Sequence, residues 1–294
     1  MWSYPAVNDA VGATVFVKHE NTQPVGAFKV RGGLTLLDTM SPAERARGTV
    51  SWSTGNHAQS LAYASALYGA PCTVVMPAAA NPDKAAAVRG RGAEVVLVGD
   101  DLEAAQAHAE RLAEATAARL VSPGDTVELL AGLGTLYLEV LSAEPDLDAV
   151  IVPIGSGTGA SAATIVAAEL APGCRVIGVQ SESSPAAHDS WRKGELVKRP
   201  NRTAVDGLAT GRGFEIPQRI LRDRLADFLL VSDDQIADAQ RLMATSAHTL
   251  AEGAGAAALA AVMTRPDLFA GRRVAVICTG GNASQAELAT LATR

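Results

Sequence analysis

Lys29 stands in the run Gly26-Ala27-Phe28-Lys29-Val30-Arg31-Gly32-Gly33, one of only five lysines in a chain of 294 residues. A surface lysine has no need of small, Gly-flanked neighbours and an aromatic ring beside it. A lysine that attacks a carbonyl to form a Schiff base does need them. A close-fitting, partly desolvated site keeps its amine neutral and nucleophilic. Taken alone, a lysine at a helix start is a solvated charge, so other segments must decide between the two.

Three segments bear on that choice. Ser51-Trp52-Ser53-Thr54-Gly55-Asn56-His57 places small hydroxyl residues and a glycine where a helix begins. Backbone N–H groups there can hold a carboxylate without a cation, although a plain helix cap uses the same residues. His57 reads better as a structural hydrogen-bonder than as a general base. Pro153-Ile154-Gly155-Ser156-Gly157-Thr158-Gly159-Ala160-Ser161 follows an apolar run and opens a helix. Alternating glycines let a backbone approach a ligand, and the helix N-terminus favours an anion, so the pattern suits a phosphate. It is not a Walker loop, and its spacing fails the dinucleotide fingerprint. Cys278-Thr279-Gly280-Gly281-Asn282 ends the last apolar run. Its hydroxyl suits a ligand ring nitrogen, and Gly-Gly-Asn equally suits a turn.

Such loops need a rigid frame. Val/Ile-rich runs at Ala13–Val17, Thr49–Trp52, Cys72–Met76, Glu94–Val98, Ala149–Ile154, Arg175–Val179, Phe228–Val231 and Val274–Cys278 alternate with amphipathic stretches. The latter include Ala58–Leu67, Leu102–Ala118, Ala160–Leu170, Asp233–Ala247 and Gly255–Met263. This alternation predicts an α/β protein whose mostly parallel sheets are covered by helices on both faces. In such sheets ligands bind where strands end and helices begin, which is where the three segments fall. The stretch 48–125 is self-contained, predicting a smaller lobe inserted in a larger one made of 1–47 and 126–294.

Composition narrows the partners. A net charge of −6 argues against nucleic acid or an anionic membrane as the main partner. No apolar run is long enough to span a bilayer, and Met1-Trp2-Ser3-Tyr4-Pro5 lacks a signal-peptide pattern. Cys72, Cys174 and Cys278 are too few and too far apart for a disulfide framework or a zinc site. Cys278 reads as a buried strand thiol. A cytoplasmic α/β protein acting on a small molecule is expected.

In this order the segments resemble those of the serine/threonine dehydratases, or ammonia-lyases. These are pyridoxal-phosphate enzymes of the tryptophan-synthase-β fold, fold type II. Lys18-His19-Glu20 with Gly26 to Gly32 is similar to their Lys-x-Glu…Gly-Ser-Phe-Lys-x-Arg-Gly motif. Ser53-Thr54-Gly55-Asn56-His57-Ala58-Gln59 is similar to Ser-x-Gly-Asn-His-Ala-Gln, and Thr279-Gly280-Gly281-Asn282 to Ser-Gly-Gly-Asn. The Gly155 loop resembles their phosphate loop, and Glu252-Gly253-Ala254-Gly255-Ala256 their Glu-Pro/Gly-x-Gly-Ala segment. The likeness covers almost the whole chain.

The resemblance implies a role for each residue. Lys29 is the covalent carrier of pyridoxal 5'-phosphate and the shuttle for the substrate α-proton. Phe28 packs near the pyridine ring, Asn56 binds the ring 3-hydroxyl oxygen, and Thr279 faces the ring nitrogen. Gly155, Ser156, Gly157, Thr158 and Gly159 bind the phosphate. Ser53, Thr54, Gly55, Asn56 and His57 clamp the substrate carboxylate. The implied reaction is elimination of the β-hydroxyl of threonine or serine to a 2-oxo acid and ammonia, in a homodimer.

The departures from the motif leave alternatives. Thr54 stands where dehydratases often have Ala and racemases have Ser, so racemisation is an alternative. Lysis of 3-hydroxyaspartate or another β-substituted serine is a second. Arg212 is either a binder of a distal carboxylate or a surface arginine. A protein that binds a phosphate ligand without covalent chemistry is the distant alternative. Thr203-Ala204-Val205-Asp206-Gly207 resembles a segment near a divalent cation in some members. Arg202 precedes it where they carry an acid, so no metal is expected. The longer N-terminal arm is expected to be missing or truncated, and no C-terminal regulatory domain is expected.

Overall fold

The computed structural model describes residues 1–292; the last two residues of the 126–294 segment lie outside it. The strands are β1 (Trp2–Ser3), β2 (Thr14–His19), β3 (Thr49–Trp52), β4 (Cys72–Met76), β5 (Glu94–Leu97), β6 (Arg119–Val121), β7 (Ala149–Pro153), β8 (Arg175–Ser181), β9 (Asp227–Val231) and β10 (Arg273–Cys278). The helices are α1 (Pro5–Val11), α2 (Val30–Thr39), α3 (Pro42–Arg47), α4 (Asn56–Leu67), α5 (Pro82–Arg89), α6 (Leu102–Thr116) and α7 (Val127–Ala143). They continue with α8 (Thr158–Leu170), α9 (Ala186–Lys193), α10 (Glu215–Arg224), α11 (Asp233–Ser246), α12 (Gly253–Thr264), α13 (Pro266–Phe269) and α14 (Gln285–Ala292).

Two compact units form, one from residues 1–28 and 134–294 and one from residues 29–133. The sequence pattern predicts an inserted lobe at 48–125, and in the structure the second unit also takes in 29–47 and 126–133. Close helix packing explains the difference. A Cβ added at Gly32 would meet the Leu129 backbone at 2.7 Å, and one at Gly33 would meet Ser60 Oγ at 2.5 Å. Glycines that read as loop residues therefore join α2 to α4 and to the first half of α7.

The first unit holds a six-stranded sheet in the order β1-β2-β10-β7-β8-β9, parallel except for the edge strand β1. β7 is buried at every position, as a strand covered on both faces must be. Its core includes α12, which is buried from Gly253 to Val262. A helix apolar on every side belongs in the interior, and its alanines allow close approach. The second unit holds a parallel sheet in the order β5-β4-β3-β6. Among the described residues, no helix is long and apolar enough to cross a membrane.

Candidate active site

In the first unit β7 and β10 are parallel neighbours, with Val276 beside Ile151. In a parallel sheet their carboxyl ends lie side by side, the edge at which α/β sheets bind ligands. The Gly155 loop follows β7 and the Thr279 loop follows β10, so topology brings these two predicted segments together.

The glycines of the first loop are fixed by protein rather than left open for a ligand. A Cβ at Gly155 would lie 2.3 Å from Gly207 O, and one at Gly159 3.0 Å from Phe28 Cε2. Gly157 has φ +91° and would meet Pro217 at 2.8 Å. The missing side chains thus let the loop settle against its neighbours, which presents the other side of the backbone. Gly155 O also accepts from Thr210 Oγ1 (3.3 Å), which accepts from the buried Gln180 Nε2 (3.2 Å). Gly157 caps α8 without a side-chain hydrogen bond, and the first i−4 bond runs from Ser161 N to Gly157 O at 2.9 Å. The N–H groups of Thr158, Gly159 and Ala160 precede it, which is the donor array that a phosphate needs.

Thr279 is 4% exposed. Its carbonyl accepts from Phe28 N at 2.9 Å, while Gly281 N donates to Gly26 O at 2.9 Å. This short antiparallel clamp fixes the residues that precede Lys29. Phe28 is buried, with its ring edge against Gly159. Tyr137, on α7, brings its hydroxyl to the same place, 3.4 Å from where a Gly159 Cβ would be. That hydroxyl is buried without a hydrogen-bond partner among the described residues. Burial and the nearby Glu20 carboxylate raise its pKa. Cys278 is buried, and burial pushes its thiol up to about 12, so it is inert strand filling.

The second unit holds the other predicted residues. Lys29 caps α2 in an αR conformation, and its carbonyl accepts from Ser60 Oγ (2.6 Å) and Gly33 N (3.2 Å). Lys29 is half-buried, and desolvation of its amine holds its pKa down at about 8 from 10.5. Burial disfavours the charged form, so a good fraction of the amine is neutral near physiological pH. Ser53, Thr54, Gly55 and Asn56 are half-buried at the carboxyl end of β3. Gly55 caps α4 without a side-chain bond, and its N–H donates to Ser53 Oγ at 3.2 Å. The Thr54 hydroxyl makes no hydrogen bond among the described residues.

His57 is buried, and its Nε2 pairs with Ser51 Oγ at 2.9 Å, while Ser51 Oγ donates to Val121 O at 2.6 Å. Burial, then the charge of Lys29, drive its pKa down to about 3. It stays neutral and ties α4 to β3, while Ser51 ties β3 to β6. Its imidazole is therefore spent on structure, and only its backbone N–H, in the first turn of α4, can serve a carboxylate.

Sequence reading missed Ser60 and Tyr137, and it read Gly207 only as the end of the Thr203–Gly207 segment. Ser60 lies four residues past Asn56 on α4, a spacing that sets it on the same face. Tyr137 and Gly207 carry no local signal, since both matter only through contact with the glycine loop. Arg212 lies 5.7 Å over the Phe214 ring. Among the described residues, no group of three or more His, Cys, Asp or Glu could hold a metal.

A family model described as "Pyridoxal-phosphate dependent enzyme" matches residues 1–280. The chain is 35% identical over 277 residues to L-threonine ammonia-lyase of Thermotoga maritima, covering 94% of this chain and 69% of that one. It is 32% identical to the serine racemase of Schizosaccharomyces pombe, covering 94% and 86%. The fold superimposes on the processed form of threonine deaminase isoform 2 from Solanum lycopersicum with a TM-score of 0.93 at 27% identity, covering 98% of this chain and 85% of that chain.

Proposed function

This chain belongs to the serine/threonine ammonia-lyase family of pyridoxal-phosphate-dependent enzymes, fold type II, and from that premise we propose that it eliminates the β-hydroxyl of L-threonine or L-serine to give a 2-oxo acid and ammonia. The carrying observation is Lys29: a desolvated lysine with its pKa near 8, next in the chain to a Phe28 clamped on the Thr279 loop and packed on the glycine loop.

The residues present suit the cofactor. The loop Gly155, Ser156, Gly157, Thr158 and Gly159 offers first-turn N–H groups of α8 to its phosphate. Phe28 supplies an apolar surface for its ring, Thr279 a hydroxyl for its ring nitrogen, and Asn56 an amide for its 3-hydroxyl oxygen. When bound, the cofactor supplies an electron sink for the pair released as the α-proton leaves. A neutral hydroxyl at position 279 leaves the ring nitrogen unprotonated and the sink weak, which suits rapid loss of a β-substituent.

Lys29 Nζ would hold the cofactor covalently and, once released from it, would take the substrate α-proton. The Ser53–His57 loop orients the substrate carboxylate through hydroxyls and the first-turn N–H groups of α4. The first unit thus carries the phosphate loop and Thr279, and the second carries Lys29, Asn56 and the carboxylate loop. We assign the catalytic roles to Lys29, with Thr54 as a secondary catalytic candidate. The reading carries with it a cytoplasmic location and a homodimer, the latter tested by light scattering of the purified protein.

A panel of β-hydroxy amino acids, assayed for both 2-oxo acid and ammonia, tests the proposal. Threonine or serine is expected to give equal amounts of each. Turnover of neither, with 3-hydroxyaspartate active instead, would replace the substrate assignment. An absence of any visible cofactor band would remove the reading altogether.

A further inference from the structure

One carboxylate outside the site gathers an unusual number of donors. Asp233 is the first residue of α11, half-buried beside the end of β8. Its Oδ1 accepts from Ser181 Oγ at 2.6 Å and from Thr203 Oγ1 at 2.8 Å. Its Oδ2 accepts from Thr203 Oγ1 at 2.9 Å and from Ala204 N at 3.0 Å. Thr203 Oγ1 in turn accepts from Val205 N at 3.1 Å. The backbone from Thr203 to Val205 is thus tied to a single side chain.

That tie has a direction. A 3-10 turn, Asp206–Leu208, follows immediately. Gly207 O, in this turn, is the atom that forbids a Cβ at Gly155. Two residues past the turn, Thr210 donates to Gly155 O at 3.3 Å, while its own carbonyl accepts from Ser184 Oγ at 3.1 Å. The segment 203–210 therefore begins at Asp233 and ends on the back of the glycine loop.

We propose that Asp233 is a positioning residue for the Gly155–Gly159 loop, fixing it through the segment 203–210 by hydrogen bonds and without a divalent cation. The proposal rests on the reading of that loop as the phosphate site. A carboxylate that accepts three charge-assisted bonds, from two hydroxyls and an amide, has its lone pairs engaged and holds the segment as a bound ion would. The neighbouring Arg202, exposed and cationic, further disfavours a metal there. The carboxylate also sits at the N-terminus of a 14-residue helix, where its charge is favoured.

Equilibrium binding separates this role from general stability. Apo-protein is titrated with pyridoxal phosphate and, separately, with pyridoxal, which Lys29 can capture but the phosphate loop cannot grip. In Asp233→Asn the amide turns N–H groups toward Ser181, Thr203 or Ala204, all of them donors. Asp233→Asn and Thr203→Val are each expected to weaken pyridoxal phosphate by about tenfold or more while leaving pyridoxal unchanged, a coupling of ordinary size between linked sites. The double variant should lose no more than the stronger single one, because both break one chain. Thr203→Ser, which keeps the hydroxyl, should bind as wild type does, and a chelator should change nothing.

Thermal melting of each apo variant fixes a temperature at which all are folded; if Asp233→Asn does not fold, Thr203→Val carries the test. Wild-type affinity in the folded single variants overturns the proposal. So does an equal loss for both ligands, or a loss of wild-type affinity on chelation. If wild type itself binds the two ligands equally, the phosphate-loop reading fails instead, and the two failures stay distinct.

Discussion

Among the helix starts without a side-chain cap, those of α8 and α4 differ in what surrounds them. α3, α6 and α11 are closed by Ser41, Asp101 and Ser232, each accepting from a first-turn N–H. α8 and α4 begin instead on Gly157 and Gly55, with no side-chain cap. At α8 a Cβ on Gly155, Gly157 or Gly159 would collide with protein. At α4 a Cβ on Gly55 would meet nothing within 4 Å. One uncapped helix is locked in place and the other has room around it. A locked donor array suits a group that stays, the cofactor phosphate. A roomy one suits a group that enters and leaves, the substrate carboxylate.

Removing the covalent link isolates the locked helix, with the largest expected effect. Lys29→Ala should lower turnover by more than about 10³-fold, because carbonyl capture and α-proton transfer both go. The protein should stay folded and should still bind pyridoxal phosphate non-covalently through the α8 loop, with no band of the lysine-linked cofactor. Absorption spectra and equilibrium dialysis measure these. A variant that keeps the covalent band and normal turnover would dismiss Lys29.

Glycine substitutions set the two loops against each other directly. Gly155→Ala should weaken cofactor affinity about tenfold or more, since a backbone carbonyl at 2.3 Å has to move. Gly55→Ala should leave cofactor affinity near wild type and raise KM for the amino acid. If the two variants exchanged phenotypes, the division into a resident and a visiting anion site would be wrong.

A pH series sharpens the contrast on the lysine itself. Burial lowers the Lys29 pKa to about 8, so its neutral, attacking form becomes dominant above that value. The rate of cofactor capture by apo-protein should rise with pH and level off about a midpoint near 8. A solvated lysine would show no levelling until well above this. Linkage gives the matching stability effect. The cost of a buried ammonium is felt in full below about 8. It disappears as pH rises from there toward 10.5, so apo-protein should gain stability over that window and Lys29→Ala should not. Urea melts at several pH values measure it.

The parallel sheets were legible because buried strands such as Ala149–Pro153 and Arg273–Cys278 are unbroken apolar runs between glycine loops. β6 was not, being three residues with one buried. α2 was hidden by Gly32 and Gly33, which oppose helix propensity and are explained only by the close neighbours Leu129 and Ser60. In the site, ordered motifs gave Lys29, Thr279 and both loops, since each is local chemistry at a strand end. They did not give the imidazole of His57 its partner on β3, or Gly155 its reason. The first is fixed by burial and by the bond of Ser51 to the distant Val121 on β6, the second by Gly207 in its 3-10 turn. Periodicity carries no information about such pairs.

Thr54 tests the roomy loop at its finest level, between elimination and racemisation. Racemisation needs a second acid or base on the cofactor face opposite Lys29. The Thr54 hydroxyl is the residue of the Ser53–His57 loop whose chemistry bears on that role. A threonine hydroxyl is a poor acid unless a base activates it. The titratable group nearest in sequence, His57, is held by Ser51 and stays neutral down to about pH 3. Elimination should therefore dominate in wild type, and Thr54→Ala should retain it. Thr54→Ser removes the β-branch and frees the hydroxyl to turn, so a small rise in racemisation is expected. Chiral chromatography of the remaining amino acid, run with the 2-oxo acid assay in one reaction, reads both outcomes. Wild-type protein that mainly interconverts L- and D-isomers, and loses this in Thr54→Ala, would make the second face as catalytic as the first and the enzyme a racemase.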